Sequence, residues 1–209
     1  MTRLICQCST RHEGKRVVIT GGPGAGKTAV LEALRGMICD HVVILPEAAT
    51  ILFSRGFPLS TSVSGIRLIQ RSIFRIQDEQ ERMAMADGSA GIVLCNRGVL
   101  DGLAYWPDTE SSFFAEMRTT REEVFKRYDL VIHLRAQKTE QANHLQNPAR
   151  LEHSDSPLAL DQRIAEGWEG HPNRVFLDST PDVREKVQHT LRLVFELLPP
   201  YCQSHAVLA

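Results

Sequence analysis

The sequence lacks every bulk property that would tie it to a membrane or a polyanion. No apolar run approaches the roughly 20 residues a bilayer span requires, and the opening stretch MTRLICQCSTRHEGK has too short an apolar segment for a secretory signal. Neither sign of charge is in excess: 24 Lys and Arg stand against 25 Asp and Glu, a formal net charge of -1. No global field therefore draws in nucleic acid or anionic lipid, and any phosphate binding has to be local. These absences predict a cytoplasmic protein with no membrane span and no nucleic-acid partner.

Cysteine is sparse, odd in number and scattered (Cys6, Cys8, Cys39, Cys95, Cys202), which argues against a disulfide framework. Cys6 and Cys8 are one residue apart with no second half-site nearby, a poor pattern for structural zinc. The eight histidines show no H-x-x-x-H or comparable cluster. His133 in an apolar run and His171 beside Pro172 read as packing or turn residues. There is also no internal repeat and no low-complexity block.

What remains is 209 residues with 43% hydrophobic content, enough for one sizeable core. The expected organisation is a single domain over 15–198, a flexible N-terminal tail over 1–14 and a C-terminal tail over 199–209. Short, nearly continuous apolar runs recur at 16–20, 41–45, 91–95, 129–134 and 174–178. Each reads as a strand buried on both faces. Between them lie KTAVLEALRGM, IRLIQRSIFRIQDEQERMAMADG and TPDVREKVQHTLRLVFELL, all with helical spacing. Strands alternating with helices predict a three-layer α/β fold around a five-stranded, mostly parallel sheet. The last helix is expected to start at Thr180 as N-cap with Pro181 in its first turn, and to stop at Pro199-Pro200. The polar stretch 136–158, punctuated by Pro148 and Pro157, reads as a mobile excursion, and 136–165 as a lid-like segment.

The first apolar run leads into GGPGAGKT. Gly21, Gly26, Lys27 and Thr28 fit G-x-x-x-x-G-K-[ST], with the strand before and the helix after that its chemistry requires. Glycines let successive backbone N–H groups turn inward as an anion nest, and the helix start adds donors and the positive end of its dipole. Gly21, Gly22, Pro23, Gly24, Ala25, Gly26, Lys27, Thr28 and Ala29 are the expected nucleotide-binding residues. Lys27 would serve the β- and γ-phosphates and the Thr28 hydroxyl Mg2+. ATP with Mg2+ is the expected ligand, with GTP open. No N-K-x-D is present, and NRGVLDG is not D-x-x-G, which disfavours a Ras-type GTPase.

At the exit of the second strand, Glu47 in LPEAA fits a general base, a magnesium-side carboxylate or a helix N-terminal glutamate after Pro46. At the exit of the third, LCNRGVLDGLAYWP brings Asn96, Arg97 and Asp101. With YDLVIHLR and LDQRIAEGWEGHPNRVFLDST, these motifs make the chain resemble small P-loop ATPase and kinase-like proteins. That group centres on the nicotinamide riboside kinase domain of the bacterial NAD regulator and is similar to nucleoside and nucleotide kinases.

The resemblance runs over roughly Arg16 to Leu198 and implies a kinase-like fold with a lid. It implies that Glu47 faces the acceptor or the metal and that Arg97 reaches toward an acceptor or the transferring phosphoryl group. Asp101 would orient Arg97 or touch the acceptor; an aspartate paired to a neighbouring arginine reads equally well. Arg150 and Arg163 stand where the relatives' lid arginines close over phosphates, and both also read as solvated charges. One position departs: many relatives carry aspartate where this chain has Asn96. An amide keeps the oxygen acceptor for Mg2+ and loses the charge; Asn96 also reads as a turn residue.

Two functions follow. One is transfer of the γ-phosphate of ATP to a small-molecule acceptor such as a nucleoside or nucleotide. The other is an ATP- or GTP-dependent regulatory switch, or a slow ATPase without a kinase acceptor, with Asn96 as its support. Arg67, Arg71 and Arg75 form one helical stripe, read as a solvated basic face balanced by Asp78, Glu79 and Glu81. Trp168, Trp106, Tyr105 and Phe57 fit ring stacking, core packing or an interface, and a homodimer stays open.

Overall fold

A computed structural model describes residues 11–86, 88–136, 156–180 and 182–203. The five apolar runs form β1 (Lys15–Thr20), β2 (Val42–Leu45), β3 (Ile92–Asn96), β4 (Leu130–Leu134) and β5 (Arg174–Leu177). They pair in the order β2-β3-β1-β4-β5, and every pairing is parallel. "Mostly parallel" thus becomes wholly parallel among the described residues. β3 and β4 are buried at every position, whereas β5, at the edge, is half-buried throughout.

Period-2 alternation divides the side chains between two helical layers. Val17, Ile19, Leu94 and Ile132 face α1 (Lys27–Leu34) and α7 (Val183–Leu197), packing with Leu34, Leu191 and Val194. Val18, Val93, Cys95 and Val131 face the other layer, where Phe74, Phe113, Ile164 and Trp168 complete the core. That layer holds α3 (Val63–Ala86), α4 (Glu110–Met117), α5 (Arg121–Arg127) and α6 (Pro157–Gly167). Burying one such side chain contributes about 1.5–3 kcal/mol. The remaining elements are α2 (Ala48–Ser54), a 3-10 segment at Val99–Tyr105 and α8 (Pro200–Gln203).

Several expectations are corrected. Pro157 begins α6 rather than breaking a loop, because Ser156 caps the helix by accepting the Ala159 N–H and a first-turn proline has no donor to lose. The part of the lid-like segment from 157 to 165 is therefore core helix, with Leu160 and Ile164 buried. Helix α7 is capped by Asp182, whose carboxylate accepts the Arg184 N–H at 2.8 Å, and not by Thr180. A carboxylate satisfies the orphan donor and also answers the helix dipole. Thr180 Oγ1 instead accepts the Asp182 N–H; Pro181 lies outside the described residues. At the chain's end, Pro200–Gln203 is a helical turn that buries Cys202 completely.

The acidic residues assigned to a solvated stripe are also redistributed. Glu81 is fully buried: it accepts from Arg127 Nε (2.6 Å), the Tyr128 hydroxyl (2.9 Å) and Gln77 Nε2 (2.8 Å). Asp78 takes the other arm of Arg127 at 2.6 Å. Arg67 and Arg71 find their partner in Glu116 of α4, at 2.9 and 2.8 Å. These bonds fasten α3 to α4, to α5 and to Tyr128, and α3 forms one wall of the site.

Candidate nucleotide and acceptor site

In a parallel sheet the strand order reverses beside β1, and the loops after β1 and β3 diverge there to open a crevice at the carboxyl edge. GGPGAGKT occupies it. Gly21 has φ +130°, and a Cβ there would collide with the Leu134 carbonyl oxygen of the neighbouring strand. Gly26, at φ +90°, turns the chain into α1 in a conformation a side chain would strain.

Lys27 lies buried across its own loop, its Nζ donating to the carbonyls of Gly21 and Gly22 at 2.8 Å each. Its pKa falls to about 7, mainly through burial and then through Arg97, against opposing contributions from Glu47, Asp101 and Asp161. Asp161 Oδ1 accepts the Gly22 N–H at 2.6 Å and shares a hydrogen bond with His133 Nε2 at 2.9 Å. Burial pushes this carboxyl up, but those hydrogen bonds outweigh it and hold it below the usual carboxylate range. From α7, Lys186 donates to the Ala25 carbonyl at 3.0 Å.

Beside the loop, Arg97 has φ +76°, an uncommon backbone state for a residue with a side chain. The conformation aims its guanidinium between two carboxylates. Nε donates to Glu47 Oε1 at 2.6 Å and one terminal nitrogen to Asp101 Oδ2 at 3.1 Å. Burial opposes its charge, but Tyr105, Glu47 and Asp101 together raise the guanidinium pKa. The Thr50 hydroxyl donates to Glu47 Oε2 at 2.7 Å. Although burial alone would raise Glu47, Arg97 and these bonds hold it low and ionised. Asp101 is clamped in turn, accepting from Thr20 Oγ1 (2.6 Å) and from Trp168 Nε1 (2.8 Å). Its contacts are those of a residue that orients Arg97.

A cavity of about 370 Å3 is lined by the phosphate loop, by the Glu47–Arg97 pair, by Gln70, Phe74 and Gln77 of α3 and by Tyr105. Lys27, Thr28, Glu47, Asn96, Arg97 and Asp101 all line it. Asn96 Oδ1 is a buried acceptor without a hydrogen-bond partner among the described residues. A buried carbonyl oxygen of this kind beside Thr28 suits a hard cation. Arg163 is half-buried on α6 and does not line the cavity; Arg150 lies outside the described residues. Trp168 and Trp106 are core residues; of the four aromatics singled out in the sequence, Tyr105 lines the cavity, together with Phe74 of α3. His171 is a turn residue, as expected: its ring takes the Asn173 N–H and contacts the Tyr128 carbonyl.

Sequence reasoning missed Asp161, Gln70 and Gln77. The amides carried a signal: Ile66, Ile69, Gln70, Phe74 and Gln77 fall on one buried helical face, where two amides interrupt an apolar stripe. Nothing marked Asp161 apart from its place on the helix after the polar stretch.

The family model for the AAA domain matches residues 16–186. No curated protein matches the chain. Among solved structures, deoxyadenosine kinase from M. mycoides with bound dATP superposes with a TM-score of 0.60 at 12% sequence identity, covering 86% of this chain and 98% of that one. At that identity the likeness is one of fold, and it is the P-loop kinase-like fold that the motifs imply.

Proposed function

The chain belongs to the AAA domain family, and from that premise we propose that it is a phosphotransferase that moves the γ-phosphoryl group of Mg-ATP to a small-molecule acceptor of nucleoside or nucleotide type. The observation that carries this reading is the cavity. Its lining reaches beyond the phosphate loop to Gln70, Phe74, Gln77 and Tyr105, and includes the Glu47–Arg97 pair. A hydrolase needs room only for water at that point. The aromatic and amide side chains in that lining suit a ring with hydrogen-bonding edges. The fold shared with a deoxyadenosine kinase agrees with such an acceptor.

In this reading the loop's backbone N–H groups and Lys27 cradle the phosphates, and Glu47 accepts a hydrogen bond from the acceptor hydroxyl and sets its line of attack. Arg97, held from both sides, places positive charge beside the transferring group. Thr28 and Asn96 would hold Mg2+, with Glu47 near it. The ion, when bound, neutralises charge on the phosphate oxygens. The protein's contribution is placement and charge, since phosphoryl transfer requires little covalent work of it. Arg150 keeps the phosphate-closing role that the resemblance implies, whereas Arg163, on α6 and not in the cavity lining, is not assigned it.

The test is ADP formation over a panel of nucleosides and nucleotides. Acceptor-dependent turnover that Lys27→Ala abolishes is the expected result. Slow hydrolysis indifferent to every acceptor, from folded protein, defeats the reading. Asn96 favours a second reading, a nucleotide-dependent switch, because a neutral amide stands where kinase relatives place a carboxylate. Tight nucleotide binding with negligible turnover would establish it.

A further inference from the structure

At the opposite, N-terminal edge of the sheet, three segments far apart in sequence converge. His12 leads into β1, His41 immediately precedes β2, and Cys202 sits in α8. His41 Nδ1 is 3.3 Å from Cys202 Sγ, and His12 Nε2 is 3.9 Å from the same sulfur. All three ligand atoms lie within 4.8 Å of one another. Zinc bound tetrahedrally, at about 2.0–2.1 Å from nitrogen and 2.3 Å from sulfur, would place such atoms roughly 3.3–3.6 Å apart. The two nitrogen–sulfur distances are within a few tenths of an ångström of that spacing.

The three ligands are also held by their own backbones. The His12 N–H donates to the Gly88 carbonyl at 2.8 Å, and the His41 carbonyl accepts from Gly91 and Ile92. The Cys202 N–H donates to Pro199, and its side chain is fully buried. Asp40 is exposed beside His41, with its carboxylate within 4.8 Å of a His41 ring nitrogen.

We propose that His12, His41 and Cys202 form a binding site for a zinc-class divalent cation, ligated by Nε2, Nδ1 and the thiolate, with the fourth position left to a water molecule. Two imidazoles and one thiolate make a borderline-soft donor set, which selects zinc over magnesium or calcium. Binding releases the Cys202 thiol proton to solvent. The ion ties the lead into β1, the start of β2 and the C-terminal helix into one clip, remote from the cavity and independent of any reaction there. No histidine motif marks this site in the sequence, because the ligands are scattered along the chain and the parallel sheet gathers them at one edge.

The experiment titrates Co2+ and then Zn2+ into metal-stripped full-length protein. One equivalent of cobalt should give tetrahedral ligand-field absorption and a thiolate-to-cobalt charge-transfer band, both erased by one equivalent of zinc. Zinc should also raise the melting temperature. Cys202→Ser should lose the charge-transfer band, and Cys202→Ser and His41→Gln should each weaken zinc binding at least about 10-fold, the lower end of the loss seen when only an outer-shell partner is removed. Metal-free melting curves of the variants that match the metal-free wild type show that the loss is not unfolding. If Cys202→Ser does not fold, His12→Gln takes its place. No thiolate band in the wild type overturns the proposal. So does a band that survives Cys202→Ser and disappears in the Cys6→Ser/Cys8→Ser double variant.

Discussion

Asp161 Oδ1 accepts the backbone N–H of Gly22 at 2.6 Å, so α6 is hydrogen-bonded directly to the phosphate loop. Asp161→Ala leaves that N–H and His133 without their shared acceptor. A loss of about 1–3 kcal/mol of stability is expected by denaturant unfolding at neutral pH. The folded-state pKa is lowered, so the stabilisation is complete above the carboxyl's ordinary range and disappears as pH falls through the folded value. Unfolding curves of variant and wild type should therefore converge in acid. A constant gap across pH removes the charge from the explanation.

Lys27, with a pKa of about 7, is largely neutral above that pH in the free protein. A bound triphosphate restores its charge. Nucleotide binding at pH 8 should take up close to one proton, read by calorimetry in buffers of different ionisation enthalpy. Lys27→Met should abolish the uptake. The unliganded fold should also gain stability as pH rises from about 7 toward the unfolded lysine value, since the unfolded chain binds the extra proton there.

Arg97 is held by Glu47 and Asp101 in a forked geometry that lysine cannot reproduce. Arg97→Lys should lower acceptor-dependent kcat by about 100-fold or more while leaving nucleotide affinity nearly unchanged. Equal losses in both would assign Arg97 to nucleotide binding.

Asn96→Asp should lower the Mg2+ concentration needed for half-maximal nucleotide binding by about 10-fold, corresponding to ~1.4 kcal/mol. A carboxylate at this buried acceptor adds the charge an amide lacks. A magnesium titration of nucleotide binding measures it, and an unchanged midpoint removes Asn96 from the metal's surroundings.

Glu81 is fully buried with Arg127, Tyr128 and Gln77 on its oxygens. Glu81→Ala should destabilise the fold by about 1–3 kcal/mol, because Arg127 Nε, the Tyr128 hydroxyl and Gln77 Nε2 lose their shared buried acceptor while Asp78 still pairs with Arg127. Thermal unfolding measures it; a change within a degree or two would place the network's strength at Asp78.

The strands and the phosphate loop were legible because each is written locally: unbroken β-branched runs for one, glycine spacing before lysine and threonine for the other. Glu47, Arg97 and Asp101 were legible as strand-exit residues, and so was the Arg97–Asp101 pair at i and i+4, but the Glu47–Arg97 pair joins two strand exits 50 residues apart and goes with the positive φ of Arg97, which no side-chain pattern announces. Arg67 and Arg71 made a visible stripe, yet their partner, Glu116, is on another helix. Asp161 and the His12–His41–Cys202 cluster were hidden for the same reason. Their partners are distant along the chain, and only closure of the sheet brings them into reach.

The indole of Trp168 donates to the carboxylate that orients Arg97. The chain therefore carries a native fluorophore wired to its cavity, one of only two tryptophans. Any movement of Arg97 on ligand binding changes the field at that ring. Ordinary emission spectra of the unlabelled protein can thus follow site occupancy in real time.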